Sequence, residues 1–140
     1  MKIALDVLGG DNAPLSTIEG AISYLDDQGD SAAELILLGD KTQIETTIQK
    51  ISRNKSDIII HHTTETVGMN ERSSRIFREK PDSSLVKSIQ LVRDGEAHAI
   101  VSAGNTGALL SSALFLIGKI PGIRRPAFAP FIPTNKGGFI

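Results

Sequence analysis

The 140-residue chain contains no cysteine and no tryptophan, and a single tyrosine. Without cysteine there is no disulfide framework, no thiolate metal site and no cysteine nucleophile, which fits a reducing, cytoplasmic setting. The scarcity of aromatic stacking platforms and a formal net charge of −1 argue against a nucleic-acid partner. No apolar run is long enough to span a bilayer; the longest, Ala108 to Ile117, has about half the length required. The N-terminal apolar run is broken by Asp6, so it makes a poor signal peptide. Acidic residues are missing from Ile117 to Ile140, where Lys119, Arg124, Arg125 and Lys136 stand unopposed. That cationic stretch points to an acidic partner or an anionic substrate, or else to a surface balanced elsewhere in the fold.

What the chain does have is a rhythm. Short, nearly continuous apolar runs recur at Ile3–Leu8, Leu35–Leu38, Ile58–Ile60 and Ala99–Val101, as expected of parallel strands buried on both faces. Helical spacing lies between them: Ile18, Ala21, Ile22 and Leu25; Ile44, Ile48 and Ile51; Leu85, Ile89 and Val92. Ala108 to Ile117 is apolar almost all round and reads as a buried helix. Alternating strand and helix predicts an α/β fold with right-handed crossovers. Asn12 is the expected cap for a helix with Pro14 in its first turn, and Asp82 the expected cap for the helix containing Leu85. Gly39-Asp40 should end the second strand, and Asp94-Gly95 the helix of Leu85. Pro121, Pro126, Pro130 and Pro133 exclude helix near the end, with Phe128 to Ile132 as an edge or irregular strand. Residues 136–140 read as a turn opening into a strand. Residues 1–140 are therefore expected to form one α/β domain, the N-terminal part of a longer protein.

Three stretches could cradle an anion. In Leu5-Asp6-Val7-Leu8-Gly9-Gly10-Asp11-Asn12-Ala13-Pro14, a strand gives way to a glycine pair and then a helix, where backbone can approach a ligand. The spacing matches neither the dinucleotide fingerprint nor a P-loop. In Val101-Ser102-Ala103-Gly104-Asn105-Thr106-Gly107-Ala108, a second strand passes into a helix whose first-turn N–H groups and dipole favour negative charge. In Arg78-Glu79-Lys80-Pro81-Asp82-Ser83-Ser84, Arg78 and Lys80 flank the two hydroxyls of Ser83 and Ser84. A plain strand-to-helix turn or a capped surface helix is the competing reading of each. Adjacent His61 and His62 point to opposite faces of a strand, so at most one reaches a site. No metal-ligand spacing is present. Asp6, Asp11 and Asp82 are the carboxylates available to Mg²⁺, and nothing specifies such a site.

Together these stretches resemble the phosphate acyltransferases of bacterial phospholipid synthesis, the PlsX family. LDVLGGDNAP is similar to that family's D-x-M-G-G-D-x-A-P, HHTTETVGMN to H-x-x-E-x-x-G-M, REKPDSS to R-x-K-x-D-S-S, and VSAGNTGALL to S-A-G-N-T-G-A. IPGIRRPAFAPFIPT is similar to I-P-G-x-x-R-P-x-x-A-x-x-P-T. Leu8 replaces the usual Met, Pro81 stands where a basic residue is common, and family members are about twice as long. The resemblance implies a three-layer α/β/α Rossmann-like fold with a mostly parallel sheet, related to the isocitrate and isopropylmalate dehydrogenases. It implies transfer of a fatty acyl group from acyl carrier protein to inorganic phosphate, giving acyl phosphate. Gly9, Gly10, Asp11, Asn12, Arg78, Ser83, Ser84, Ser102, Gly104, Asn105, Thr106 and Gly107 would bind phosphate and substrate. Lys80 would stabilise charge, and His62 or Asp6 would handle protons. Phosphate would attack directly, with an acyl-serine route through Ser83 or Ser84 as the rival. The expected partners are acyl carrier protein, docked on the Lys119–Lys136 region, and a second copy of the chain. No cofactor is expected, and the location is cytoplasmic with possible peripheral membrane contact. The competing functions are a nucleotide-dependent decarboxylating dehydrogenase and a phosphate-binding fragment without turnover.

Overall fold

The computed structural model describes residues 1–51, 58–126, 132–134 and 137–139. Four strands form one all-parallel sheet in the order β3-β2-β1-β4: β1 is Lys2–Asp6, β2 Glu34–Gly39, β3 Ile58–His62 and β4 Ala99–Ser102. The period-two rule sends Leu5 and Val7 to one face, where they meet Ile18, Ala21 and Ile22 of α1 (Leu15–Gln28) and Ile44 and Ile48 of α2 (Lys41–Ile51). Ala4, Ile36 and Leu38 point to the other face and meet Leu91 of α4 (Ser84–Arg93). A further cluster joins α4 to α5 (Thr106–Leu116) through Leu85, Val86, Ile89 and Ala108. The result is the three-layer Rossmann-like sandwich the sequence implied. A short helix α3 (Ile76–Glu79) follows a 3₁₀ turn at Ser73–Arg75, and β5 (Ile132–Thr134) pairs with β6 (Gly137–Phe139) in a separate antiparallel ribbon. Among the described residues, no helix is long and apolar enough to cross a membrane.

The chain runs outward from β1 to β3 and then returns to the far side of β1 as β4. That reversal is a topological switch point, and it opens a crevice beyond the carboxyl ends of β1 and β4. Asp6 and Ser102, the last residues of those strands, are register partners there.

Several local expectations need correction. Only β1 and β2 are buried on both faces; the edge strands β3 and β4 are half open. Asn12 does not cap α1 with its side chain: the helix starts after Pro14, and Asn12 offers its carbonyl to the Ser16 amide and hydroxyl. Asp82 does not cap α4, because its carboxylate is taken by Thr64; the adjacent Ser83 accepts from the Val86 amide instead. The α5 helix is not buried: Ala108 and Ser112 face inward, while Leu110 and Phe115 are exposed. Asp40 does cap α2, accepting from the Gln43 amide at 2.8 Å, and Gly95 at φ +76° ends α4 as expected. Of the expected strand Phe128–Ile132, only Ile132 lies within the described residues.

Candidate functional site

Asp6 ends β1 with its side chain on the α4 face, and it is only 2% exposed. Its Oδ1 accepts from the Ser84 hydroxyl at 2.5 Å and its Oδ2 from the Ser102 hydroxyl at 2.7 Å. Ser102 Oγ in turn accepts the Gly104 amide at 3.1 Å. One buried carboxylate thus ties the end of β1 to the start of α4 and to the turn that launches α5. Charge-assisted bonds of this kind are the strong ones, and here they hold three chain segments in one arrangement.

Two glycines make that arrangement possible. A Cβ on Gly9 would lie 2.7 Å from Asp6 Oδ2 and 2.8 Å from the Gly104 nitrogen, and one on Gly104 would lie 3.2 Å from Gly9 Cα. The β1 and β4 turns touch backbone to backbone, so no side chain fits between them. Beyond them α5 begins. Asn105 caps it, its Oδ1 accepting from the Ala108 amide at 3.0 Å. The first-turn amides of Thr106 and Gly107 have no intrahelical carbonyl to bind, and both residues are exposed. A buried polar platform, close-approaching backbone and a free helix start form a surface suited to a small oxyanion.

Of the expected site residues, the crevice brings together Asp6, Gly9, Gly10, Ser84, Ser102, Gly104, Thr106 and Gly107. Asp11 and Asn12 are exposed on the turn that follows. The others are engaged differently. Ser83 is fully buried and donates to the Lys80 carbonyl at 2.8 Å. Lys80 Nζ donates to the Thr66 carbonyl at 2.7 Å and to Glu71 Oε1 at 2.6 Å, so it is a clamp on the 66–71 loop. Arg78 lies over the Phe77 ring, 5.1 Å from its centroid. His62 ends β3, two strands from Asp6, which is about 10 Å by strand spacing. Its Nδ1 accepts the Lys41 amide at 3.1 Å. Of the carboxylates available to Mg²⁺, Asp6 accepts from two serine hydroxyls and Asp82 binds Thr64 and Lys87. Among the described residues, no group of three His, Asp or Glu side chains could hold a metal ion.

The loop clamp was not foreseen. Asn105 Nδ2 lies within 3.2 Å of the carbonyls of Gly68, Met69 and Glu71, and Glu71 Oε1 also accepts the Gly68 amide. Asn105, read from sequence as a ligand donor, therefore staples this loop beside the α5 start. The sequence signal was available in part, since the loop belongs to the HHTTETVGMN segment. Replacing Asn105 with aspartate keeps the helix cap but points a carboxylate at three carbonyls. Circular dichroism should stay unchanged while trypsin cleavage after Arg72 accelerates at least tenfold; equal cleavage would mean that the staple does not hold the loop.

The Lys80 ammonium, followed by the Gly68 amide, holds the Glu71 carboxyl below its ordinary value of 4.5. The Thr64 hydroxyl and amide do the same to Asp82, below 3.8. A depressed carboxylate pKa contributes stability that is complete above the unfolded value and lost as pH falls through the folded one. Acidification should therefore release the Gly68 and Thr64 amide resonances towards unbonded positions before the β1 and β2 amides move. Simultaneous loss everywhere would show that the loop has no separate acid step.

Residues 1–140 match the family described as "Fatty acid synthesis protein", and the chain belongs to that family. It is 41% identical to a phosphate acyltransferase of Myxococcus xanthus over 99% of its own length and 38% of the relative's. It is 43% identical to a phosphate acyltransferase of Dictyoglomus turgidum (96% and 39%) and 42% identical to one of Clostridioides difficile (99% and 40%). The chain thus spans about two-fifths of the length of these curated relatives.

Proposed function

We propose that this chain is the phosphate-binding portion of an enzyme that transfers a fatty acyl group from an acyl carrier protein thioester to inorganic phosphate. The observation that carries the reading is the Asp6–Ser84–Ser102 network beneath the contact of Gly9 with Gly104. Phosphate at the α5 start meets the amides of Thr106 and Gly107 and the Thr106 hydroxyl. Asp6 is buried behind Gly9 and acts as a positioning residue, fixing the turn without touching the anion. A phosphate oxygen attacks the thioester carbon, the tetrahedral oxyanion collapses, and the C–S bond breaks to give acyl phosphate and the carrier thiol. The free amides favour the developing negative charge, and binding both reactants together supplies much of the rate. Direct attack is favoured over an acyl-serine route because Ser83 and Ser84 are buried, their hydroxyls hydrogen-bonded to the Lys80 main-chain carbonyl and the Asp6 carboxylate. The product serves phospholipid synthesis.

The test is phosphate-dependent consumption of acyl-carrier thioester by the protein at its relatives' full length. Turnover that needs phosphate and leaves no acylated protein supports the reading; a trapped acyl-serine would replace direct attack, and no turnover by a folded protein would remove the function. Arg124 and Arg125, exposed beyond α5, are the proposed contacts for the acidic carrier. Arg124→Glu should weaken carrier binding about tenfold with phosphate binding unchanged, and equal carrier affinity would remove that surface.

A further inference from the structure

Lys80 lies between the short helix α3 and the buried serine pair, and its backbone is fixed on both sides. Its amide donates to the Ile76 carbonyl at 2.8 Å, and its carbonyl accepts the Ser83 hydroxyl at 2.8 Å. Its ammonium crosses to the 66–71 loop, where the Thr66 carbonyl at 2.7 Å and Glu71 Oε1 at 2.6 Å take two of its three donors. The same Oε1 accepts the Gly68 amide at 2.8 Å, and the Glu71 amide donates to the Gly68 carbonyl at 3.2 Å. A Cβ on Gly68 would lie 3.1 Å from that carboxylate oxygen, so the turn closes tightly on the charge. Lys80 and Glu71 thus fold the loop so that the carbonyls of Gly68, Met69 and Glu71 converge.

They converge on Asn105 Nδ2, at 3.2, 3.0 and 3.2 Å. Three acceptors on one side fix the orientation of the Asn105 side chain, with its nitrogen towards the loop and its oxygen towards the helix. A cap oxygen can accept from the second or the third amide of its helix. In α5 these belong to Gly107 and Ala108, and Oδ1 takes Ala108 at 3.0 Å. The Gly107 amide is left with no intrahelical carbonyl, beside that of Thr106. An Asn105 released from the loop can turn its oxygen one residue back, onto Gly107.

We propose that Lys80 and Glu71 are positioning residues for the anion site: by holding the loop on Asn105 they keep the cap oxygen off Gly107, whose amide stays open to phosphate. This role rests on the phosphate-binding reading of the α5 start, and it needs no contact between Lys80 and the anion. Without the clamp, the protein's own oxygen competes with phosphate for one amide. Phosphate binding should then weaken about tenfold, the equivalent of one hydrogen bond of about 1.4 kcal/mol.

The experiment compares wild type, Lys80→Met, Glu71→Gln and Lys87→Met, each with and without Asn105→Ala, in the protein at its relatives' full length. The readouts are calorimetric titration with inorganic phosphate and amide hydrogen exchange. Lys87→Met removes an equal charge from α4, where Lys87 pairs with Asp82 at 3.7 Å, and should bind phosphate as the wild type does. Lys80→Met should bind about tenfold more weakly. Glu71→Gln should fall between them, since its amide oxygen still accepts from Gly68, and it carries the same test if Lys80→Met does not fold. Exchange at Gly107 in the absence of phosphate should slow in Lys80→Met, because that amide gains an acceptor; general loosening would speed it. Asn105→Ala removes the competing oxygen, so in that background Lys80→Met should cost nothing. A loss that persists there would make Lys80 a direct electrostatic contact and overturn the proposal. Faster exchange at Gly107, or unchanged affinity in both loop variants, also overturns it. A wild type that does not bind phosphate at Thr106 and Gly107 removes the site itself, whereas binding there with an inert Lys80→Met removes only the role of the clamp.

Discussion

Asp6→Ala should lower stability by about 3 kcal/mol, a fall in Tm of roughly 10 °C for a chain of this size. Two buried hydroxyls lose a charged acceptor, each bond of that kind contributing about 1.5–3 kcal/mol. Relief of the buried carboxylate offsets part of the loss, because among the described residues no ion pair is formed by Asp6. Asp6→Asn retains one neutral acceptor and should lose about half as much. Activity should fall further than stability in both, since Ser102 no longer fixes the Gly104 amide. Thermal melts beside phosphate-dependent turnover decide it. A variant as stable and active as wild type would show that the carboxylate does not organise the crevice.

Gly9→Ala is the second large effect. The added methyl would press on a carboxylate oxygen at 2.7 Å and on backbone nitrogen at 2.8 Å, neither of them the yielding end of a flexible chain. Overpacking of this kind costs about 1–3 kcal/mol. The turn must move by several tenths of an ångström, and displacement of a positioned group on that scale costs up to about a hundredfold in rate. Gly20→Ala provides the contrast. There the Cβ enters open space on a helix, so stability should rise by about 0.5–1 kcal/mol. Melting both variants separates close approach from the general effect of replacing glycine, and a shared sign would contradict the packing argument.

The layers and strands were legible because burial leaves a periodic mark: Leu5, Leu37, Ile18 and Ile44 all face the core that their spacing indicates. The α5 helix was misread because an apolar composition does not say which side packs: Ala108 and Ser112 are buried and Leu109, Ala113 and Leu116 pack partly buried against the core, while Leu110 and Phe115 face outward. The caps at Asn12 and Asp82 failed for a related reason. Thr64 claims the Asp82 carboxylate from 18 residues away, and no local rule anticipates a competing donor. Within the site, glycine, serine and asparagine at strand ends marked the right turns. Their division of labour was not visible. That Asp6 meets Ser84 and Ser102, while Lys80 and Asn105 clamp a loop, depends on contacts spanning 9 to 96 residues.

The most direct test is titration of the ¹⁵N-labelled chain with inorganic phosphate, following every backbone amide. Saturable shifts at Thr106 and Gly107, with smaller ones at Gly9, Gly10 and Gly104, are expected, and Gly9→Ala should abolish them. Shifts centred on Lys119–Arg125 instead, or none at the β1 and β4 turns, would contradict the assignment of this crevice to phosphate.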